Sequence, residues 1–203
     1  MIKAIFFDIG GVLIDIHPDR TFEYISRSTG VKIQILKESF PENIHNEYEK
    51  GKISNNEWFS EYKKSLPELS NLTEKTFWKA WNLLLGKEKK TIDLVKSLKP
   101  NYSIWLLSNT NPKHIQDEIE NKYEFPSLID GAIYSFEVGK RKPSYDIYKI
   151  ATEIAGVGAH EALFIDDLSE NIIAAKEIGI TSFLFTTFEQ LTIDLKKLRL
   201  SSL

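Results

Sequence analysis

The sequence contains no cysteine. That excludes a disulfide framework and thiolate metal sites, and it fits a protein of the reducing cytoplasm. It has no excess of basic charge: 26 Lys and Arg stand against 29 Asp and Glu, a net charge of -3, so nothing favours a nucleic-acid partner. No stretch approaches 18 uninterrupted apolar residues, so no membrane span is expected. The opening "MIKAIFFDIGGVLID" is apolar but is broken by Asp8 and lacks a small-residue cleavage site, so it reads as a buried strand and not as a signal peptide. Internal repeats and low-complexity segments are also lacking. What remains is a chain of 203 residues, 42% hydrophobic and 27% charged, large enough to bury a sizeable core as one domain or a domain with an insertion.

Five short, nearly continuous apolar runs predict strands at residues 3–8, 102–108, 131–135, 162–166 and 181–185. Unbroken apolar runs suit strands covered on both faces. Helical patterns separate most of them. Ile92, Val95 and Leu98 share one face before Pro100; Ile147, Ile150, Ala151 and Ile154 share another before Gly156; Ile172 and Ala175 point inward before Gly179. Strands alternating with helices imply an α/β fold, a doubly wound parallel sheet of five strands built from right-handed crossovers. Residues 16–84 break the pattern. They hold helical segments alone, one opened by a Ser54–Glu57 capping box, another with Phe77, Trp81 and Leu84 on one face, a third carrying Phe22 and Ile25. The expected organisation is therefore an α/β core of residues 1–15 and 85–203, with residues 16–84 inserted after the first strand as a helical cap.

Ligands of a doubly wound sheet bind at the carboxyl ends of its strands. Polar residues collect there: Asp8 after the first strand, Ser108 and Asn109 after the second, Lys142 in the loop after the third, Asp166 and Asp167 after the fourth. Each alone reads as a cap, a turn or a solvated charge; their placement on one sheet edge makes a joint role the better reading. A carboxylate can attack phosphorus to give an aspartyl-phosphate. Mg²⁺, held by one or two carboxylates and phosphate oxygens, relieves the repulsion between the two anions. Asp8 and Asp167 supply such a pair, while Ser108, backbone N–H groups near Asn109, and Lys142 can hold the other phosphate oxygens.

The same motifs, "FFDIGGVL", "LLSNTN", "GKRKPS" and "FIDDLSEN" in this order, resemble the haloacid dehalogenase superfamily. The closer likeness is to bacterial sugar-phosphate phosphatases, including one that acts on α-glucose 1-phosphate. The resemblance implies a Mg²⁺-dependent phosphatase of small phosphorylated metabolites, sugars first among them. It makes Asp8 the nucleophile and gives Mg²⁺ to Asp8, the Gly10 carbonyl and Asp167, with Asp166 close by. Ser108 and Lys142 bind the phosphoryl group, and Asn171 orients Lys142 or a metal-bound water. The chain departs from the family pattern at Gly10, where most of its phosphatases carry the acid that protonates the leaving oxygen. A good leaving group, or Asp15 with His17 beside it in the hinge, is the expected remedy. Gly10 is also a candidate for φ > 0, where a side chain would strain the turn. Glu47, Tyr48 and Glu49 are candidate specificity contacts, with solvated helix charge the plainer reading. Two rivals stand: a metal-independent C–halogen hydrolase, against which the acidic pair argues, and a phosphate-binding regulatory protein.

Overall fold

The computed structural model describes residues 1–67 and 71–200. Strands β1 (Ala4–Phe7), β4 (Ser103–Ser108), β5 (Gly131–Tyr134), β6 (Ala162–Asp166) and β7 (Thr181–Leu184) form one parallel sheet in the order β5-β4-β1-β6-β7. Alternate β1 residues feed two cores: Ile5 and Phe7 pack on one face with Val95 and Leu98, Ala4 and Phe6 on the other with Ile147 and Ala175. This is the doubly wound five-stranded arrangement that the apolar runs imply. The helix Tyr145–Ile154 sits one step rotated from its expected face. Ile147, Tyr148, Ala151 and Thr152 are the buried positions and Ile154 is exposed, because Tyr148 packs its ring edge-on against Phe164 and donates its hydroxyl to the Asn171 carbonyl.

Between Ile16 and Leu85 the described residues form five helices, α1 (Pro18–Thr29), α2 (Ile33–Glu38), α3 (Glu42–Glu49), α4 (Asn55–Ser65) and α5 (Glu74–Asn82). The Ser54–Glu57 capping box starts α4 as the sequence implies. An aromatic cluster centred on buried Trp58 joins them: its ring stacks on Tyr48 at 5.7 Å and meets Trp81 at 5.4 Å and Phe77 at 6.2 Å. Exit and return to this helical segment pass through a small antiparallel ribbon, β2 (Ile14–Ile16) with β3 (Leu85–Glu88). The ribbon is a feature the sequence did not announce, since three- and four-residue strands of mixed polarity carry no periodic signal. No helix of the described residues is long and apolar enough to cross a membrane.

The turn after β1 brings this edge together. Asp8 donates its backbone N–H to the Ile165 carbonyl of β6. The residue at positive φ is Gly11, at 74°, and not Gly10. A Cβ on Gly11 would lie 2.0 Å from Asp167 Oδ2, whereas a Cβ on Gly10 would meet only Ile16, at 3.4 Å. The strain expected of Gly10 thus belongs to its neighbour, which must lack a side chain so that the Asp167 carboxylate can pack over the turn. Gly11→Ala is therefore expected to lower unfolding free energy by about 1–3 kcal/mol, whereas Gly10→Ala stays within about 1 kcal/mol of the parent, as read from urea denaturation of both variants.

Candidate active site

Polar side chains from the ends of four strands converge on the carboxyl edge of the sheet. Asp8 follows β1, Ser108 ends β4, Lys142 lies in the loop that follows β5, Asp166 ends β6 and Asp167 follows it. Asp8, Ser108, Lys142 and Asp166 are buried and Asp167 is half-buried. The Lys142 ammonium is the hub. It donates to Asp166 Oδ2 at 2.6 Å and to the Leu107 carbonyl at 2.8 Å, and it stands 3.0 Å from Asp8 Oδ1. The last approach is an ion pair off the hydrogen-bonding direction, so Asp8 Oδ1 is buried without a hydrogen-bond partner. Burial works against the charge on Lys142, but the Asp8 and Asp166 carboxylates outweigh it and hold the ammonium protonated above its usual range. Burial pushes the Asp8 carboxyl up; Lys142 opposes this, Asp166 adds to it, and the net direction is upward. Asp167 is raised too, by burial first and by neighbouring Asp166 second.

The parts around the hub hold it in place. Asn109 grips the Lys142 backbone from both sides, donating Nδ2 to its carbonyl at 2.9 Å and accepting its N–H at 2.8 Å. That commits the Asn109 side chain and leaves its backbone as the group to offer a ligand. Asn171 donates to both Asp166 oxygens, at 2.9 and 3.1 Å, and the Leu168 N–H donates to Asp166 Oδ1 at 2.8 Å. Asn171 therefore acts on Lys142 through Asp166.

Carboxylate oxygens of Asp8, Asp166 and Asp167 lie within 4.8 Å of one another, a set of hard donors suited to a divalent cation. Asp166 differs from the other two. Both its oxygens are engaged by Lys142, Leu168 and Asn171, so its place is as an anchor for Lys142 more than as a metal ligand. Asp8, whose Oδ1 lacks a hydrogen bond, and Asp167 are the acids left to a metal.

Above this floor lies a cavity of about 460 Å³, roofed by the helical segment and lined in part by Ile14 and Ile16 of β2. Asp15, between them on the strand, does not line it. Asp15 is half exposed and stands 3.6 Å from Lys89, and strand alternation turns it away from the face that Ile14 and Ile16 present. The structure thus places Asp15, the expected replacement for the missing acid, apart from the cavity, and His17 does not line it either. Of the three residues singled out on α3, Glu47 is a surface partner of Lys50 and Lys52, and Tyr48 belongs to the aromatic core. Glu49 is buried, lines the cavity and pairs with Arg141 at 2.9 Å. Burial raises its carboxyl against the pull of Arg141. Arg141, His45, Asn111 and His114, also lining residues, escaped the sequence reading. The run "GKRKPS" drew attention to Lys142 and not to its neighbour, and the helical period of α3 could have set His45 beside Glu49, one turn on.

The chain matches the model of the haloacid dehalogenase-like hydrolases over residues 2–179. It is 30% identical over 192 residues to D-ribitol-5-phosphate phosphatase of Bacteroides thetaiotaomicron, covering 90% of this chain and 91% of that protein. It is 25% identical over 197 residues to a sesquiterpene phosphatase of Aspergillus oryzae, covering 97% and 96%. A crystal structure of a haloacid dehalogenase family enzyme from B. thetaiotaomicron, in complex with magnesium and inorganic phosphate, superposes with a TM-score of 0.82 at 28% identity, over 94% of this chain and 99% of that one. The matched span takes in β1 with its Gly-Gly turn, the Lys142 loop and the acidic pair, and the protein belongs to the haloacid dehalogenase-like hydrolase family.

Proposed function

We propose that this hydrolase is a Mg²⁺-dependent phosphatase of small phosphorylated metabolites that works through an aspartyl-phosphate on Asp8. The observation that carries the reading is the buried Asp8 carboxylate, with one oxygen unbonded, facing the cavity beside Lys142 and Ser108. In the first step an Asp8 oxygen bonds to phosphorus and the bond from phosphorus to the leaving oxygen breaks. In the second, water attacks the same phosphorus, and phosphate leaves as the Asp8 carboxylate returns. Lys142, the Ser108 hydroxyl and the backbone at Asn109 hold the phosphoryl oxygens. We read residues 1–15 and 85–203 as the catalytic core and residues 16–84 as the cap over it.

Charge supports the metal. Three acidic side chains, Asp8, Asp166 and Asp167, share the floor with one ammonium, a poor setting for a phosphate dianion without a cation. Asp8, Asp167 and the Gly10 carbonyl would hold Mg²⁺, whose chemistry there is to neutralise the charge between carboxylate and phosphate. The space that Gly11 clears for Asp167 favours this over the metal-independent hydrolase. Sugar phosphates, α-glucose 1-phosphate included, enter through motif likeness, whereas the relatives are named for a pentitol phosphate and for a sesquiterpene. The leaving group is therefore a matter for the cavity. A panel of phosphate monoesters assayed with Mg²⁺ and with chelator is expected to show metal-dependent phosphate release, and Asp8→Asn should lower kcat by about 10³-fold or more with the fold kept. Metal-independent turnover, or an active Asp8→Asn protein, would contradict the reading.

No carboxylate stands at position 10, and Asp15 faces elsewhere. Departure of a basic alkoxide is then unassisted from this position, whereas p-nitrophenolate needs no proton. Position 10 lies outside the left-handed region and its Cβ is accommodated. Gly10→Asp is expected to raise kcat for alkyl phosphates by about tenfold or more while moving the p-nitrophenyl ester less than about threefold. Equal changes for both esters would show that proton delivery at residue 10 does not limit the reaction.

A further inference from the structure

We infer that the leaving group recognised by this site is apolar: the substrate class is the phosphate monoester of a hydrocarbon-rich alcohol or phenol, not of a polyol. The inference rests on the phosphatase reading for its phosphate end and on the cavity for the rest. Beyond the polar floor, the cavity is walled by Ile16, Phe22, Phe40, Trp81, Leu84 and Leu85. Among the polar side chains that share the wall, Thr21, Asn111 and His114 are already paired within the protein, and the atoms without a hydrogen bond, Tyr62 Oη, Trp81 Nε1, Glu49 Oε2 and Arg141 Nε, are buried out of solvent contact. Thr21 donates its hydroxyl to the Ala80 carbonyl at 3.0 Å. His114 pairs through Nε2 with the Trp81 carbonyl at 3.0 Å and through Nδ1 with Asn111 Nδ2 at 3.1 Å, and Asn111 Oδ1 accepts the His114 N–H at 3.0 Å. Glu49 and Arg141 neutralise each other. His45 is packed between the Phe40 and Trp58 rings, and burial together with Arg141 holds its imidazole neutral.

A polyol enclosed here would exchange water for hydrocarbon at several hydroxyls. Each hydroxyl left unpaired costs about tenfold in affinity. A hydrocarbon leaving group meets no such cost, and gains from each methylene it buries. The turn itself points the same way. Ile16 packs over Gly10, with its Cγ2 3.4 Å from where a Cβ would stand, so the wall nearest Asp8 on this side is an isoleucine over a glycine. The absent acid and the apolar wall are two aspects of one local packing.

The test is calorimetric titration of the Mg²⁺-loaded protein with methyl-, butyl- and octylphosphonate and with the isosteric phosphonate of glucose 6-phosphate. Affinity is expected to rise about two- to fourfold per methylene along the alkyl series, with the octyl compound well above the sugar analogue. Ile16, 42% exposed, can be changed with little risk to the fold. Ile16→Gln should weaken octylphosphonate by about fivefold or more and leave inorganic phosphate affinity unchanged. A flat alkyl series, or tighter binding of the sugar analogue, would overturn the inference. Phosphate release from the matching esters, measured in parallel, reports on the phosphatase reading alone: a rising series without turnover would defeat that reading and keep the apolar pocket.

Discussion

Burying one ammonium is the constraint from which the site follows. Desolvating such a cation costs several kcal/mol and is stable only where opposite charge and full hydrogen bonding offset it. Lys142 answers that cost with hydrogen bonds to Asp166 and the Leu107 carbonyl and with the Asp8 carboxylate as a second opposite charge 3.0 Å away. Each partner sits at the end of a different strand, so the cation fixes the positions of β1, β4 and β6 at their carboxyl edge. Asn109 and Asn171 extend the arrangement, one holding the Lys142 backbone and the other the Asp166 carboxylate. Both Asp166 oxygens are thereby engaged, whereas Asp8 Oδ1 has no hydrogen-bond partner.

The strands of the sheet and the polar residues on its edge were legible because both rest on local signals. A buried parallel strand reads as an apolar run, and the residue that follows it is fixed within one or two positions. The ribbon of β2 and β3 left no such trace. Its orientation, which decides that Ile14 and Ile16 face the cavity and Asp15 faces Lys89, depends on pairing between segments far apart in the chain. Glu49 was hidden for a similar reason. On α3 it looks like one more surface charge, and its partner Arg141 comes from the other side of the cavity. The positive φ fell at Gly11 because Asp167 packs against it, a contact that the pair of glycines does not reveal by itself.

These placements connect the helical segment to the chemistry. Its aromatic core around Trp58 holds α1, α3, α4 and α5 as a unit, and Trp81 of α5 and Phe22 of α1 carry that core to the cavity wall. The site thus couples a charged floor, built by the sheet edge, to a hydrocarbon wall, built by the helices and Ile16. Gly10 sits where the two meet. Its missing side chain leaves that junction to Ile16, which stands over it.

As the proposed nucleophile, Asp8 must bond to phosphorus during turnover. Rapid acid quench of the Mg²⁺-loaded enzyme with p-nitrophenyl phosphate carrying radiolabelled phosphorus, followed by peptide mapping, tests it directly. Label is expected on the peptide containing Asp8, acid-stable and released by hydroxylamine as an acyl phosphate is. Sustained turnover with no label on that peptide at any quench time, or with label on another residue, would contradict it.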